Sequence, residues 1–345
     1  MAGVAERISG FSRSEEASTT TPDWTSLLVA GGLILAFLAV GLGVPSALPL
    51  QAASWLTFVA LVITPGYLLG EILTWRLDLD LLERLALALP LGVCVMAVPG
   101  MVAMLTHLTI ADLASAWTLM VGFVAGVWVF HVVVRRVGSS RRRCPPRTWS
   151  EMAMLLFLVA AFVYMYPTLS LYKMDGDAYA VATFTSDALT GRPLNATEPI
   201  LGTGQSMGTI RMGFNQMLPV FHLWAYLSGV DHIELTATAT RSMLALWAIL
   251  ASYTLGKSAG KGSRRFGLLT AGIQLLSFAA APFMRGDTVS IVFFERVTAD
   301  KFRVPVTMLP VIFAFAIRFV RDGQWRSWLA AAVATFAVST IHPLI

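Results

Sequence analysis

An all-α, polytopic integral membrane protein of about nine transmembrane helices, with interfacial helices in one long outer loop, is the fold the sequence predicts. Three observations predict it. Hydrophobic residues are 56% of the 345 and mean hydropathy is +0.70, too apolar for a soluble globular domain. Windows of about 18 or more apolar residues recur with almost no charge in them. The charged residues, only 13% of the chain, collect in the connections between those windows.

The same composition narrows the function. Cys94 lies in an apolar segment and Cys144 in a basic loop, so no disulfide framework is suggested. The net charge of +5 belongs to loops and needs no nucleic acid. Five scattered histidines give no structural-zinc spacing, and neither a P-loop nor a dinucleotide-type glycine pattern is present. Residues 1–23 are polar and mixed in charge, with no apolar core or cleavage site of a signal peptide, and read as a flexible cytoplasmic tail.

A four-helix membrane region spans residues 24–134. Its first block runs from about Trp24 to Val44, its second from about Ala53 to Leu73. Pro65-Gly66 inside the second is tolerable where neighbouring helices satisfy the backbone. A polar link, Glu71 to Arg84, precedes the third block, which ends near Leu105; the fourth is about Ala111 to Val134. Residues 135–150 form a loop with six arginines between Arg135 and Arg147, which belongs on the cytoplasmic side. That assignment orients the remainder, a membrane core over residues 151–345. A fifth span, about Met152 to Tyr166, leads outward to Asp175 and Asp177. Gly213 to Val230, with Pro219, His222 and many aromatics, lies in the interface without crossing. Further spans are expected at about Thr236–Leu255 inward, Phe266–Phe283 outward and Val304–Val320 inward, and a ninth runs outward to His342-Pro343.

This arrangement puts the amino terminus inside and 17 of the 25 Lys and Arg on the cytoplasmic face. Ten of the 20 acids fall outside, nine of them between Asp175 and Asp300. A multi-pass location in the plasma membrane follows. The chain ends at Ile345, the tip of a span, and is expected to be truncated at its carboxyl end.

The outer segments centre on Lys173-Met174-Asp175-Gly176-Asp177-Ala178-Tyr179-Ala180. After Asp177, the spacing of Val181, Phe184 and Ala188 predicts a short helix, with Gly191 and Pro193 as stop signals. The plainest role for Asp177 is to cap that helix, and a cap is compatible with a catalytic acid. Asp175 beside Gly176 also fits a solvated turn residue. Arg211 and Arg241 also fit anchors for lipid headgroups, and Glu295-Arg296 and Asp300-Lys301 pairs formed in water. Asn195-Ala196-Thr197 fits the N-glycosylation pattern, which has meaning only in a compartment with that machinery.

Asp177-Ala178-Tyr179-Ala180-Val181-Ala182, followed by Asp187 and Gly191, resembles the first outer-loop motif of the C-type membrane glycosyltransferase superfamily, its oligosaccharyltransferase branch above all. The order of later features is similar: interfacial segments, a span opening near Arg241, and an outer acid, Asp287, after the next outward span. The likeness covers roughly Met152 to Ile345. Ahead of it, Pro65-Gly66-Tyr67-Leu68-Leu69 and Glu83-Arg84-Leu85 look like a segment often found before such cores.

The resemblance implies inverting transfer of a sugar from a polyprenyl-phosphate donor to an acceptor of unknown identity, on the outer face among membrane lipids. A carboxylate takes the acceptor hydroxyl proton as the bond forms, and cations stabilise the departing phosphate. It implies Asp177 as base, Asp175 second, and Asp287 as the further outer acid. It implies Arg285, Lys301 and Arg303 as phosphate partners, with Arg211 and Arg241 behind them. Some relatives hold a divalent ion and others none, so Mg²⁺ or Mn²⁺ on Asp177 and Asp287 stays open. The alternative is a non-catalytic membrane protein, either a structural subunit of a larger complex or a transporter. Few charges fall inside the expected spans and no inverted repeat is evident, which counts against transport.

Overall fold

The computed structural model describes residues 24–137, 153, 174, 176–196, 215–283, 294–296 and 300–341, and all regular structure among them is helical. Helix α1 is Trp24–Gly41, and α2 is Leu50–Leu73 with a π-turn at Val59–Ile63. Helix α3 is Leu81–Leu105 and α4 is Ile110–Val137. Helix α5, Gly176–Leu189, and α6, Met217–Ser228, precede α7, Thr240–Ala259. The last runs on unbroken from His232–Glu234 through a π-turn at Leu235–Ala239. The remaining helices are α8 (Arg264–Ala280), α9 (Asp300–Thr307), α10 (Leu309–Asp322) and α11 (Trp325–Ile341).

Among the described residues, three helices are long and apolar enough to cross a membrane: Leu50–Leu73, Leu81–Leu105 and Ile110–Val134. They match the second, third and fourth expected blocks, except that α3 starts inside the stretch read as a polar link. The other expected spans fall short for identifiable reasons. Val304–Val320 is two helices broken at Met308, with Pro305 in one and Pro310 in the first turn of the other. Helix α8 has 17 residues, about 26 Å against a hydrocarbon core of about 30 Å, before it tightens into a 3-10 turn at Ala281–Phe283, and α11 is described as far as Ile341. Helix α7 carries Arg241 and Lys257, and its side chains are buried almost throughout. The expected fifth span lies outside the described residues, save Ala153.

The core forms where α2 and α3 cross. A Cβ on Gly66 would lie 1.8 Å from the Ala88 carbonyl, and one on Gly92 only 2.0 Å from the Val62 carbonyl. Backbone therefore meets backbone, the close approach that small residues allow between apolar helices. Pro65 deprives the Leu61 carbonyl of its helical donor, and the Trp117 indole N–H from α4 supplies one at 3.3 Å. Thr64 Oγ1 lies 3.0 Å from the Leu33 carbonyl and 3.0 Å from that of Val59, within reach of both for its one proton, so it ties α1 to the π-turn. On the outside, Leu119, Phe123 and Phe130 of α4 and Phe266, Leu269, Ile273 and Leu276 of α8 are exposed at helical spacing. Such apolar stripes suit contact with lipid chains.

Polar connections gather at two opposite ends. At one, the α2–α3 link meets the end of α7 and the α10–α11 turn: Arg84 pairs with Glu71 at 2.9 Å, and Arg326 donates to the Leu73 carbonyl at 3.0 Å. At the other, the Leu194 amide donates to the Leu108 carbonyl at 2.8 Å, and the Gln216 amide to Thr340 at 3.0 Å. The three segments expected to share the cytoplasmic face thus lie together, as do three expected outside.

Candidate functional site

Helix α5 begins at Gly176, so Asp177 lies inside its first turn, where the helix dipole favours a negative charge. The cap position before the helix falls at Asp175, outside the described residues. Asp177 is exposed, whereas Val181, Phe184 and Ala188 are buried, so one face of α5 is fixed and its acidic start is open. Gly191, at φ +78°, ends the helix, followed by Pro193. His107 Nδ1 donates to the Leu194 carbonyl at 2.9 Å, fastening the exit of α5 to the α3–α4 turn.

Asp187, the second acid of the motif, pairs with Arg192 at 3.5 Å. It lies about 15 Å along the helix from Asp177, so the two carboxylates serve different places. Asp231 accepts from the amides of Ile233 and Glu234 at 2.9 and 3.2 Å and caps the helical run into α7.

Helix α6 is the floor under α5. It falls within the segment expected to lie in the interface without crossing, and nearly all of its 12 residues are buried among other helices. His222 Nδ1 lies 3.2 Å from Thr185 Oγ1 of α5. Burial pushes its imidazole down to about 3, so it stays neutral at physiological pH. Phe221, next to it, carries the Arg303 guanidinium 5.8 Å from its ring centre. Helix α6 therefore touches both α5 and Arg303.

Arg303 and Arg241 are buried, at 1% and 2% exposure. An anchor for lipid headgroups needs an exposed guanidinium, so Arg241 does not play that part. The Lys301 backbone is in α9. Asp175, Asp287, Arg285 and Arg211 lie outside the described residues. Among those described, no group of three or more His, Cys, Asp or Glu gathers that could hold a metal ion. The Asp177 carboxylate is what this end offers chemically: open to a hydroxyl, and held by a helix whose other face is locked.

The opposite end holds a charged cluster that the sequence reading missed. Asp80 and Glu83 form a capping box at the start of α3, each side chain accepting from the other's amide at 3.0 Å. Lys257 of α7 then reaches Asp80 Oδ2 at 2.7 Å and Glu83 Oε2 at 2.8 Å. Tyr253 Oη donates to Asp80 at 2.6 Å, and Arg318 of α10 pairs with Glu83 while donating to Ser258 at 3.1 Å. Glu83 is fully buried and meets two cations, Lys257 and Arg318. Asp80-x-x-Glu83 ahead of an apolar run is a readable helix-start signal, but nothing in the sequence pairs it with Lys257 or Arg318.

No protein-family model, curated protein or solved structure matches the chain.

Proposed function

We propose that the chain is a multi-pass plasma-membrane protein with up to nine spans that transfers a sugar from a polyprenyl-phosphate donor to an acceptor on the outer face. Asp177 serves as the general base of an inverting step, and the observation that carries this is its exposed carboxylate at the start of an immobilised helix. In the transfer, the acceptor oxygen forms a bond to the anomeric carbon, the bond from that carbon to the lipid phosphate breaks, and Asp177 takes the hydroxyl proton. Arg303 and Arg241 are buried, so in this reading they favour a departing phosphate through their charge and not by contact; Arg285, Lys301 and Arg211 complete that set in the proposal. Asp175 and Asp287 are the accompanying acids, and a divalent ion on Asp177 and Asp287 is an optional part of it. Cells lacking the protein should accumulate one polyprenyl-linked sugar, visible on extraction of lipid-linked saccharides. An unchanged lipid-linked pool would refute the assignment.

The alternative, a structural subunit or transporter, draws on the buried Glu83, Lys257 and Arg318. These sit at helix ends and not at the middle of a span, where transporters place their coupling charges. That position counts against a transporter, and the transferase reading is preferred to that one.

The proposed orientation puts the Lys257–Arg265 turn inside and the exit of α5 outside. In a variant with Cys94 and Cys144 replaced, cysteines at the exposed positions Lys261 and Thr190 should react with an impermeant thiol reagent from opposite sides. Reaction of both from one side contradicts the arrangement.

A further inference from the structure

The end of the bundle opposite Asp177 has a cleft of about 460 Å³ between the α7–α8 and α10–α11 turns. Lys257, Arg264, Arg318 and Arg321 line it, together with the carboxylates of Asp78 and Asp322. Lys257 and Arg318 are held in place by Asp80 and Glu83 behind them. Arg321 is at the mouth, paired with Asp322 at 2.6 Å and donating to the Ser258 carbonyl at 3.2 Å. The four cations of the cleft are matched by Asp78 and Asp322 in its wall and Asp80 and Glu83 behind it, and the excess positive charge of the two turns comes from Lys261, Arg265 and Arg326 beside it.

Arg321 also lines a second hollow, of about 590 Å³, on the flank of the bundle. The rest of its wall is Leu255, Phe313, Ala316, Ile317 and Val320, all apolar. Phe313 and Val320 are 55% and 84% exposed. A cleft flanked by excess positive charge therefore opens beside an apolar groove, with one arginine at the junction. Aromatic residues mark the depth of that junction. Trp325 and Trp328 are exposed at the start of α11, and Arg326 lies 4.9 Å and 4.7 Å from the Trp75 and Trp325 ring centres. Trp beside Arg is the composition found at the level of lipid headgroups.

We propose that this cleft and groove bind an anionic phospholipid, its phosphate among Arg264, Arg321 and Lys257 and an acyl chain along Phe313, Ala316 and Val320. Basic hollows between helices on the cytoplasmic side suit such headgroups. The excess positive charge flanking the cleft selects an anionic over a zwitterionic lipid, and the groove selects a lipid over a free phosphate. The site is independent of the transferase reading and lies at the far end of the helices from Asp177.

The test uses the purified full-length chain in nanodiscs or neutral detergent, with phosphatidylglycerol and phosphatidylcholine as probes and glycerol phosphate as the chainless control. Bound lipid is counted by native mass spectrometry and the melting temperature is followed. Phosphatidylglycerol should bind at least tenfold more tightly than phosphatidylcholine and raise the melting temperature, with the preference weakening in high salt. The pair Arg264→Gln and Arg321→Gln should abolish the preference. Ala316→Trp, which fills the groove and leaves every charge in place, should weaken phosphatidylglycerol binding severalfold. Equal binding of the two lipids overturns the proposal. So does glycerol phosphate competing as well as the lipid does, or either set of variants, folded by its melting profile, binding like the wild type.

Discussion

Asp177→Asn should leave a folded, well-expressed protein and reduce sugar transfer by roughly 10²–10⁴-fold, the usual worth of a positioned acid–base group. The two halves of that expectation have separate causes. Asp177 is exposed within the first turn of α5, so its structural contribution is the attraction of one charge to the helix dipole, about 0.3–1 kcal/mol. The amide of Asn loses that charge but keeps the size of the side chain, and Val181, Phe184 and Ala188 still hold the helix down. Asn has no carboxylate to accept the acceptor proton, so transfer falls while the fold remains. If Asp177 only supports the helix start, the Asn variant keeps its activity and any effect scales with stability. Asp177→Glu sharpens the comparison: the charge is retained, the carboxylate is displaced by one methylene, and transfer should fall with no loss of stability. The measurement is transfer from a polyprenyl-linked donor in detergent beside a thermal melt of each variant. Near wild-type transfer by Asp177→Asn removes this residue from the mechanism.

The parts legible in the sequence are those set by local pattern. The helix after Asp177, its buried face and its stop at Gly191 follow from spacing within 16 residues, and the structure has them where they were expected. The three long apolar helices are equally local. What the sequence could not give is which helices bury which sides. Gly213–Val230 carries a mixture of aromatic, proline and histidine residues suited to an interface. The burial of α6 depends on α5, α2 and α3 closing around it, and the contacts with α2 and α3 are made across more than a hundred residues. Val304–Val320 reads as one apolar run, yet two prolines decide that it is two helices. The charged cluster was hidden for a related reason. Asp80, Lys257 and Arg318 are each ordinary residues near the end of a helix, and their meaning comes from a separation of 177 residues between Asp80 and Lys257 closing to 2.7 Å.

Lys257→Met should cost about 3–5 kcal/mol of stability, the penalty for leaving a buried carboxylate without its partner. Lys257 serves two acids at once, Asp80 at 2.7 Å and Glu83 at 2.8 Å, and Glu83 has no exposed surface. Without the ammonium, Arg318 still meets Glu83, but Asp80 keeps only Tyr253 and the Glu83 amide. Replacing the acids as well, in Asp80→Asn, Glu83→Gln, Lys257→Met, removes the buried charge and should recover a good part of the loss. This partial recovery separates uncompensated charge from simple loss of packing, which the extra substitutions would worsen. The pH dependence gives a second readout. Burial pushes the Asp80 carboxyl up, but Lys257 and the Tyr253 hydroxyl outweigh it and hold it below the usual carboxylate range. A carboxyl whose folded value is lowered adds stability above its unfolded value and loses it as pH falls through the folded one. The contribution of Asp80 should therefore persist through the ordinary carboxylate range and be lost only at lower pH. In Lys257→Met the main source of that lowering is gone, so the acid-side loss should move to higher pH. Melts in detergent across an acid-to-neutral series decide the matter: a variant with the wild-type stability and the same acid profile means the cluster does not hold α3, α7 and α10 together.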